Sequence, residues 1–286
     1  MTDSNTPQYD ASSIQQISAM DVIRMRPGMY VGGRDTTGLH NYLFAALDFM
    51  IDEALDDRCR HIWVTLRPDN EVIFRNDSLE LVLKVSRYPR EDESVLEMLL
   101  QYMFCRAIPC DSYRVRGGVH GVGLPAATAL SAEMTIETAQ EGYLWRKTYA
   151  IGWPTSDLQK IRPASEDEHG VTFILRPDYT IFDPNPVSYE VLAQRCREVA
   201  YQVRGLCFTL RDETCNPPRE EIFCPTDGLK TWVTDLNEGQ PVLHEPIHIA
   251  EDVVLEYRVG SPFTIKVEFA CQFTDSTESH ILNYVN

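Results

Sequence analysis

Four glycines and a histidine fall within Arg116-Gly-Gly-Val-His-Gly-Val-Gly123, and the segment Leu124-Pro-Ala-Ala-Thr-Ala-Leu-Ser131 that follows reads as a helix. Glycine adopts φ > 0 and lets backbone approach a ligand closely, while the first turn of a helix carries unpaired N–H groups beside a partial positive charge. Such a run is either a cradle for phosphate or a tight turn into a packed helix. Its spacing matches neither the Walker A pattern, which ends in Gly-Lys-Ser/Thr, nor the Rossmann Gly-x-Gly-x-x-Gly, so those two nucleotide folds are disfavoured.

The neighbours of this run decide between the readings. Tyr9-Asp-Ala-Ser-Ser-Ile14, Arg24-Met-Arg-Pro-Gly-Met-Tyr-Val-Gly32, Gly38-Leu-His40 and Ile51-Asp-Glu-Ala-Leu55 precede it in that order. Gly205-Leu-Cys-Phe-Thr-Leu-Arg-Asp-Glu213, His244-Glu-Pro246 and the stretch from Thr274 to Asn286 follow it. With these motifs the chain resembles the ATPase module of the B subunits of DNA gyrase and topoisomerase IV, over residues 9 to 286. The resemblance implies an α+β fold of the GHKL (Bergerat) type, a two-layer sandwich of helices on a mixed sheet. The first part of a transducer-like, ribosomal S5-like domain should follow. The expected division is an N-terminal arm at 1–17, the ATPase-like domain at 18–218 and the partial transducer at 219–286. The family's phosphate-reaching transducer lysine and its TOPRIM-like acidic cluster are expected to lie outside this chain.

Charge narrows the partners. The formal charge of -17 repels a phosphate backbone at long range, which argues against direct DNA binding by this chain alone. The eight cysteines form no Cys-x-x-Cys pair and no zinc spacing, so free thiols in a reducing cytoplasm are expected. The N-terminus lacks the basic and apolar regions of a secretory leader, and no apolar run reaches 18 residues, so no membrane span is expected.

Local patterns place the elements. Ser18 with Asp21 marks a helix start and Pro27-Gly28 its end. Leu43, Leu47 and Ile51, with Ala54 or Leu55, recur at helical spacing over 39–56. Alternation over 61–67 and 71–75 around Pro68-Asp69-Asn70 predicts a hairpin, and 133–150 a second one turning near Glu141-Gly142. Val171 to Leu175 reads as a buried strand, 187–204 as an amphipathic helix and 206–212 as a strand, which is an α+β layering. After Asn216-Pro-Pro-Arg219, short strands are expected to dominate.

The resemblance also locates the chemistry. A helix of the family carries Glu-x-x-x-Asn: the glutamate activates the attacking water and the asparagine holds Mg²⁺, both facing one pocket because they lie one turn apart. Ungapped alignment from Gly38-Leu-His40 puts Ala45 and Phe49 at these positions. Loss of a general base costs about 10²- to 10⁴-fold in rate, and phenylalanine offers no oxygen to a hard cation. Asp48 and Asp52, also four apart, could act only as a displaced pair, and their other reading is solvated surface.

The adenine-binding Asp-x-Gly-x-Gly of the family is replaced by Asn76-Asp77-Ser78-Leu79-Glu80, with Asn76 at the aspartate position. Asp77 could serve only through a one-residue slip, which would turn its neighbours to the opposite face. Gly170-Val171 stands where a Gly-Thr would help hold adenine. In the lid, Ala107 replaces a lysine, and Cys105 and Arg106 replace glycines. The expected nucleotide-contacting residues are therefore Tyr113, Arg114, Gly117, Gly118, Val119, His120, Gly121, Val122 and Gly123. His120 reads either as a phosphate contact or as a structural histidine within the loop. No residue is expected to be catalytic or to hold a metal, which predicts at most weak ATP binding and argues against Mg²⁺.

The leading functional reading is a hydrolysis-defective ATP-binding module of a type IIA topoisomerase, acting as a cytoplasmic binding or regulatory subunit. One rival is an ATP-hydrolysing topoisomerase B-subunit fragment completed by separately encoded parts. Another is a nucleotide-free dimerisation protein. The arm containing Tyr9 would join it to a second copy or to an intact gyrase B-type subunit, with a gyrase A-type subunit reached indirectly.

Overall fold

The computed structural model describes residues 17–78, 95–103, 121–165, 167–255 and 263–284. The arm with Tyr9, the lid positions Cys105, Arg106, Ala107, Tyr113 and Arg114, and the glycine-run residues Gly117, Gly118, Val119 and His120 lie outside them, as do Leu79 and Glu80.

Helix α1 (Ala19–Met25) starts as its sequence dictates, with the Ser18 hydroxyl accepting from the Asp21 N–H at 3.1 Å. A single turn, α2 (Gly28–Val31), leads to α3 (Thr36–Leu55). This helix begins three residues before its first apolar contact because Asp35 caps it, its carboxylate accepting from the Gly38 N–H at 3.0 Å. At Gly38 a side chain is impossible without rearrangement: a Cβ would lie 2.2 Å from the Gly33 carbonyl oxygen. Leu39, Leu43, Leu47 and Met50 form the buried stripe of α3.

Strands β1 (His61–Leu66) and β2 (Val72–Asn76) make the expected hairpin, joined by a 3-10 turn at Pro68–Asn70 where Asp69 and Asn70 take positive φ. Next come α4 (Val95–Gln101) and α5 (Gly123–Ala129), then the hairpin β3 (Ser131–Gln140) and β4 (Tyr143–Ala150). Its two turn residues, Glu141 and Gly142, both have positive φ, the geometry that a two-residue hairpin with right-handed strand twist requires. Short strands β5 (Trp153–Pro154) and β6 (Gln159–Pro163) flank β4, and β7 (Val171–Pro177) runs through the middle of the sheet. Helix α6 (Tyr189–Gln202), capped by Ser188, precedes β8 (Cys207–Asp212) and β9 (Arg219–Phe223).

These strands form one mixed sheet in the order β5-β4-β3-β7-β2-β1-β8-β9, with β6 on β4. Only the β1–β8 pair among the described strands is parallel. The strands bury alternate residues, such as Val72, Phe74 and Asn76 on β2 and Val171, Phe173 and Leu175 on β7, under α3, α5 and α6. The α+β layering is thus present. Arg24 ties its helical layer together, donating to the Ala129 carbonyl at the end of α5 at 2.7 Å and to the Asp178 carboxylate at 2.6 Å.

Two expectations need correction. Beyond Arg219 the chain is not all short strands. Leu229, Trp232, Val233 and Leu236 recur at helical spacing and form α7 (Leu229–Leu236), whose Trp232 stacks on Tyr201 of α6 with ring centroids 5.1 Å apart. The following β10 (Ile247–Leu255) and β11 (Phe263–Cys271) are nine-residue strands paired antiparallel. Nor are all the thiols free: Cys207 and Cys224 are joined in a disulfide. Antiparallel pairing of Phe208 with Phe223 sets these two cysteines opposite each other, with Cα atoms 4.4 Å apart, a proximity that 17 residues of separation conceal in the sequence.

Candidate functional site

The described part of the candidate site lies where α3 meets the start of α5 and the ends of β2 and β7. Gly121, with φ of 59°, turns the chain into α5, and Val122 precedes the first helical residue with no side-chain cap. Gly123 is packed on α3: a Cβ there would lie 3.4 Å from the Ala45 carbonyl oxygen and 3.7 Å from the Ala45 Cβ. The third residue of α5 is Pro125, which has no N–H, so this helix start presents fewer donors than an ordinary first turn. Of the expected cradle, Gly123 is therefore brought against Ala45, with Gly121 and Val122 leading into it.

One turn beyond Ala45, the ring of Phe49 packs at a tilt against Phe173 of β7, with centroids 5.7 Å apart. Both Ala45 and Phe49 are half-buried, and neither brings an oxygen or a nitrogen to this cleft. Asp48 points elsewhere. Its carboxylate accepts from Arg195 of α6 at 2.7 Å. Burial raises its pKa, and the guanidinium opposes that rise. Asp48 is thus committed to holding α6 on α3, and the displaced-pair reading has no support from its placement. The residues present do not fit a Mg²⁺ ion at the family position: the side chains there are hydrocarbon and the nearest carboxylate on the helix already has a cation.

At the other wall, Asn76 ends β2 on the same face as Val72 and Phe74 and is fully buried. Its Oδ1 accepts from the Val171 N–H at 2.9 Å, and its Nδ2, also buried, has no hydrogen-bond partner. Two residues on, the buried Ser78 hydroxyl is also unpartnered. Gly170, with φ of 105°, lets β7 come this close, since a Cβ on it would lie 2.0 Å from the Asn76 carbonyl oxygen.

Asp77 faces away from these two residues. Its Oδ1 accepts from the N–H groups of Arg60 and His61 at 2.8 and 3.0 Å. Burial raises the Asp77 pKa, but these two bonds and the Cys59 thiol outweigh it and hold the carboxyl below the usual carboxylate range. The carboxylate is spent on anchoring the start of β1, so no register slip brings it to the pocket.

The motif residues outside the cleft prove architectural. His40, buried on α3, sits with Nδ1 at 2.7 Å from the Thr36 carbonyl, and its Nε2 accepts from the Ser188 N–H at 3.0 Å. Glu53 receives a bidentate pair of bonds from Arg58 at 2.9 and 2.7 Å. The pinning of Asn76 by a backbone N–H and the burial of the Ser78 hydroxyl carry no sequence signal, because both depend on the cross-sheet position of Gly170-Val171. Among the described residues no group of three or more His, Cys, Asp or Glu side chains is placed to hold a metal ion, and no helix is long and apolar enough to cross a membrane.

The chain as a whole is similar to known proteins. The DNA gyrase B protein of Clostridium acetobutylicum is 33% identical over 280 residues, covering 97% of this chain and 42% of that protein. The DNA topoisomerase 4 B protein of Enterococcus faecalis is 30% identical over 282 residues, covering 98% of this chain and 39% of that protein. The chain therefore spans about two fifths of the length of these curated relatives. Among solved structures, the 43K ATPase domain of Thermus thermophilus gyrase B, crystallised with an aminocoumarin, superposes with a TM-score of 0.71 at 26% identity, covering 82% of this chain and 59% of that one. No family model matches.

Proposed function

We propose, from the premise that this chain belongs to the family of gyrase B and topoisomerase IV B proteins through its ATPase-module part, that it is a nucleotide-binding module without hydrolytic chemistry. The observation that carries the reading is the Ala45 and Phe49 pair, which faces Gly123 and Phe173 with hydrocarbon where water activation and metal binding would need oxygen. The positive φ of Gly121 and the packing of Gly123 on Ala45 beside it support reading the glycine run as a phosphate cradle. In this reading the chain acts as a cytoplasmic binding or regulatory subunit of a type IIA topoisomerase. It pairs through the arm containing Tyr9 with a second copy or an intact gyrase B-type subunit, and it reaches a gyrase A-type subunit only indirectly. In this reading residues 18–218 are the ATPase-like unit and 219–286 the start of a transducer-like unit, whose first strand, β9, pairs with β8 of the sheet.

Phosphate release from ATP by the purified chain with Mg²⁺ tests this. The expected result is no turnover, and the double variant Ala45→Glu/Phe49→Asn should recover little, because the Asn76 wall would still be altered. Turnover by the unmodified chain that Gly123→Asp abolishes would defeat the reading. Turnover that arises only with a gyrase A-type partner would favour the fragment-completed enzyme instead.

A further inference from the structure

Asn76 and Ser78 bring two fully buried side-chain polar atoms to the end of β2, and neither has a hydrogen-bond partner. Native interiors rarely leave such atoms unpaired, because each loses its hydration without replacement. The polarity of the Asn76 amide is not free to adjust. Val171 offers an N–H, only an oxygen can accept it, and the 2.9 Å bond therefore fixes Nδ2 as the group that remains. A carboxamide locked in this way can offer only donors to a ligand that reaches it. Ser78 Oγ, beside it in the chain, can both donate and accept.

Resting on the reading of this cleft as a nucleotide site, we propose that it selects a 6-oxopurine base, guanine or hypoxanthine, over a 6-aminopurine. The exocyclic group of a purine projects furthest from the ring and is the first atom to reach an enclosed partner. On a 6-oxopurine that atom is a keto oxygen, which accepts from Asn76 Nδ2, and the adjacent N1–H donates to Ser78 Oγ. On adenine it is an amino group, which would meet Nδ2 donor against donor. Gly170 and Val171 hold this arrangement. A Cβ at Gly170 would strike the Asn76 carbonyl oxygen at 2.0 Å, so β2 and β7 stay in the one register that aims Val171 N–H at Oδ1.

The test is calorimetric titration of the whole chain with ITP, GTP and ATP, each with and without Mg²⁺. ITP and ATP differ only on the base edge that Asn76 is inferred to read. ITP and GTP should bind at least about tenfold more tightly than ATP, the penalty expected when a buried donor faces a donor. Asn76→Asp retains an acceptor for Val171 N–H but turns the remaining atom into an acceptor, and should reverse the order. Ser78→Ala should narrow the ITP preference without reversing it. Equal binding of ITP and ATP, or tighter binding of ATP, by the unmodified chain overturns the base assignment and leaves the nucleotide-binding reading standing. Absence of heat with all three nucleotides overturns both.

Discussion

Gly170→Ala should be among the most damaging single substitutions in this chain, and its cost separates into two measurable parts. Gly170 has φ of 105°, and an L-residue forced into the left-handed region loses about 1–2 kcal/mol. The second part is steric. A Cβ at this position would lie 2.0 Å from the Asn76 carbonyl oxygen and 3.5 Å from the Asp77 Cα. The oxygen belongs to backbone at the end of β2, where the β2–β7 ladder and the Asn76–Val171 bond hold it, so it cannot swing aside as a surface side chain would. Forcing extra volume into a packed site costs about 1–3 kcal/mol, which brings the expected total to about 2–5 kcal/mol. Gly142→Ala is the control. That residue has φ of 75° with nothing within 4 Å of its added Cβ, so it carries the backbone part alone. Urea unfolding of both variants, followed by far-ultraviolet circular dichroism in one buffer, gives the difference directly. If Gly170→Ala destabilises the chain no more than Gly142→Ala, the close approach of β7 to β2 does not exist and the site geometry built on it fails.

Two further predictions concern the layer above the sheet and the sheet's acid limit. Arg24→Met removes both the cap on the last carbonyls of α5 and the partner of buried Asp178, and should cost about 3 kcal/mol in urea unfolding. Adding Asp178→Asn should recover part of that loss, whereas strict additivity in the double-mutant cycle would show the pair to be uncoupled. The Asp77 and Asp178 carboxyls both lie below their ordinary 3.8 in the folded chain, although burial alone would raise them. Backbone N–H groups and the Cys59 thiol at Asp77, and Thr180 with Arg24 at Asp178, supply the opposing stabilisation. A depressed folded pKa means that the stabilisation is complete above the unfolded value and is lost as pH falls through the folded one. Urea midpoints should therefore hold from pH 7 to about 5 and fall below about 4, with a shallower fall in Asp178→Asn; a fall equally steep in that variant would contradict the linkage.

How much was legible beforehand divides along physical lines. Elements set by local periodicity and caps were readable: Ser18 and the start of α1, the stripe of α3, and the hairpin turning at Glu141-Gly142. Helix α7 is not expected from the reading of short strands beyond Arg219, although its four apolar residues have helical spacing. The disulfide was hidden because only the β8–β9 register brings Cys207 to Cys224. At the site, the identities at Ala45, Phe49 and Asn76 already argued for lost chemistry. What the sequence could not supply was direction: Asp48 toward Arg195, Asp77 toward the β1 backbone, and the Asn76 amide turned by Val171. Each of these depends on a partner between 16 and 147 residues away, and no short-range pattern encodes it.

In the proposed reading, these directions explain how the fold can persist without hydrolytic chemistry. On α3 the residues that shape the helix and those that would act on a ligand occupy different positions. Gly38 admits the Gly33 carbonyl, His40 bonds the Ser188 N–H, and Glu53 binds Arg58; replacing them brings a clash at Gly38 or strips Ser188 or Arg58 of a partner. Ala45 and Phe49 have no such duty. A glutamate or an asparagine at these half-buried positions would need partners to offset its desolvation, whereas the Phe49 ring gains an aromatic contact with Phe173 worth about 0.5–1.5 kcal/mol. Apolar side chains there favour the folded state and, in the proposed reading, leave no group to activate water. Asn76 sits between the two classes: its Oδ1 is needed by the sheet, and its Nδ2 has no partner and is the group proposed to meet a ligand. If the proposed base assignment holds, stability and recognition are read from this one side chain.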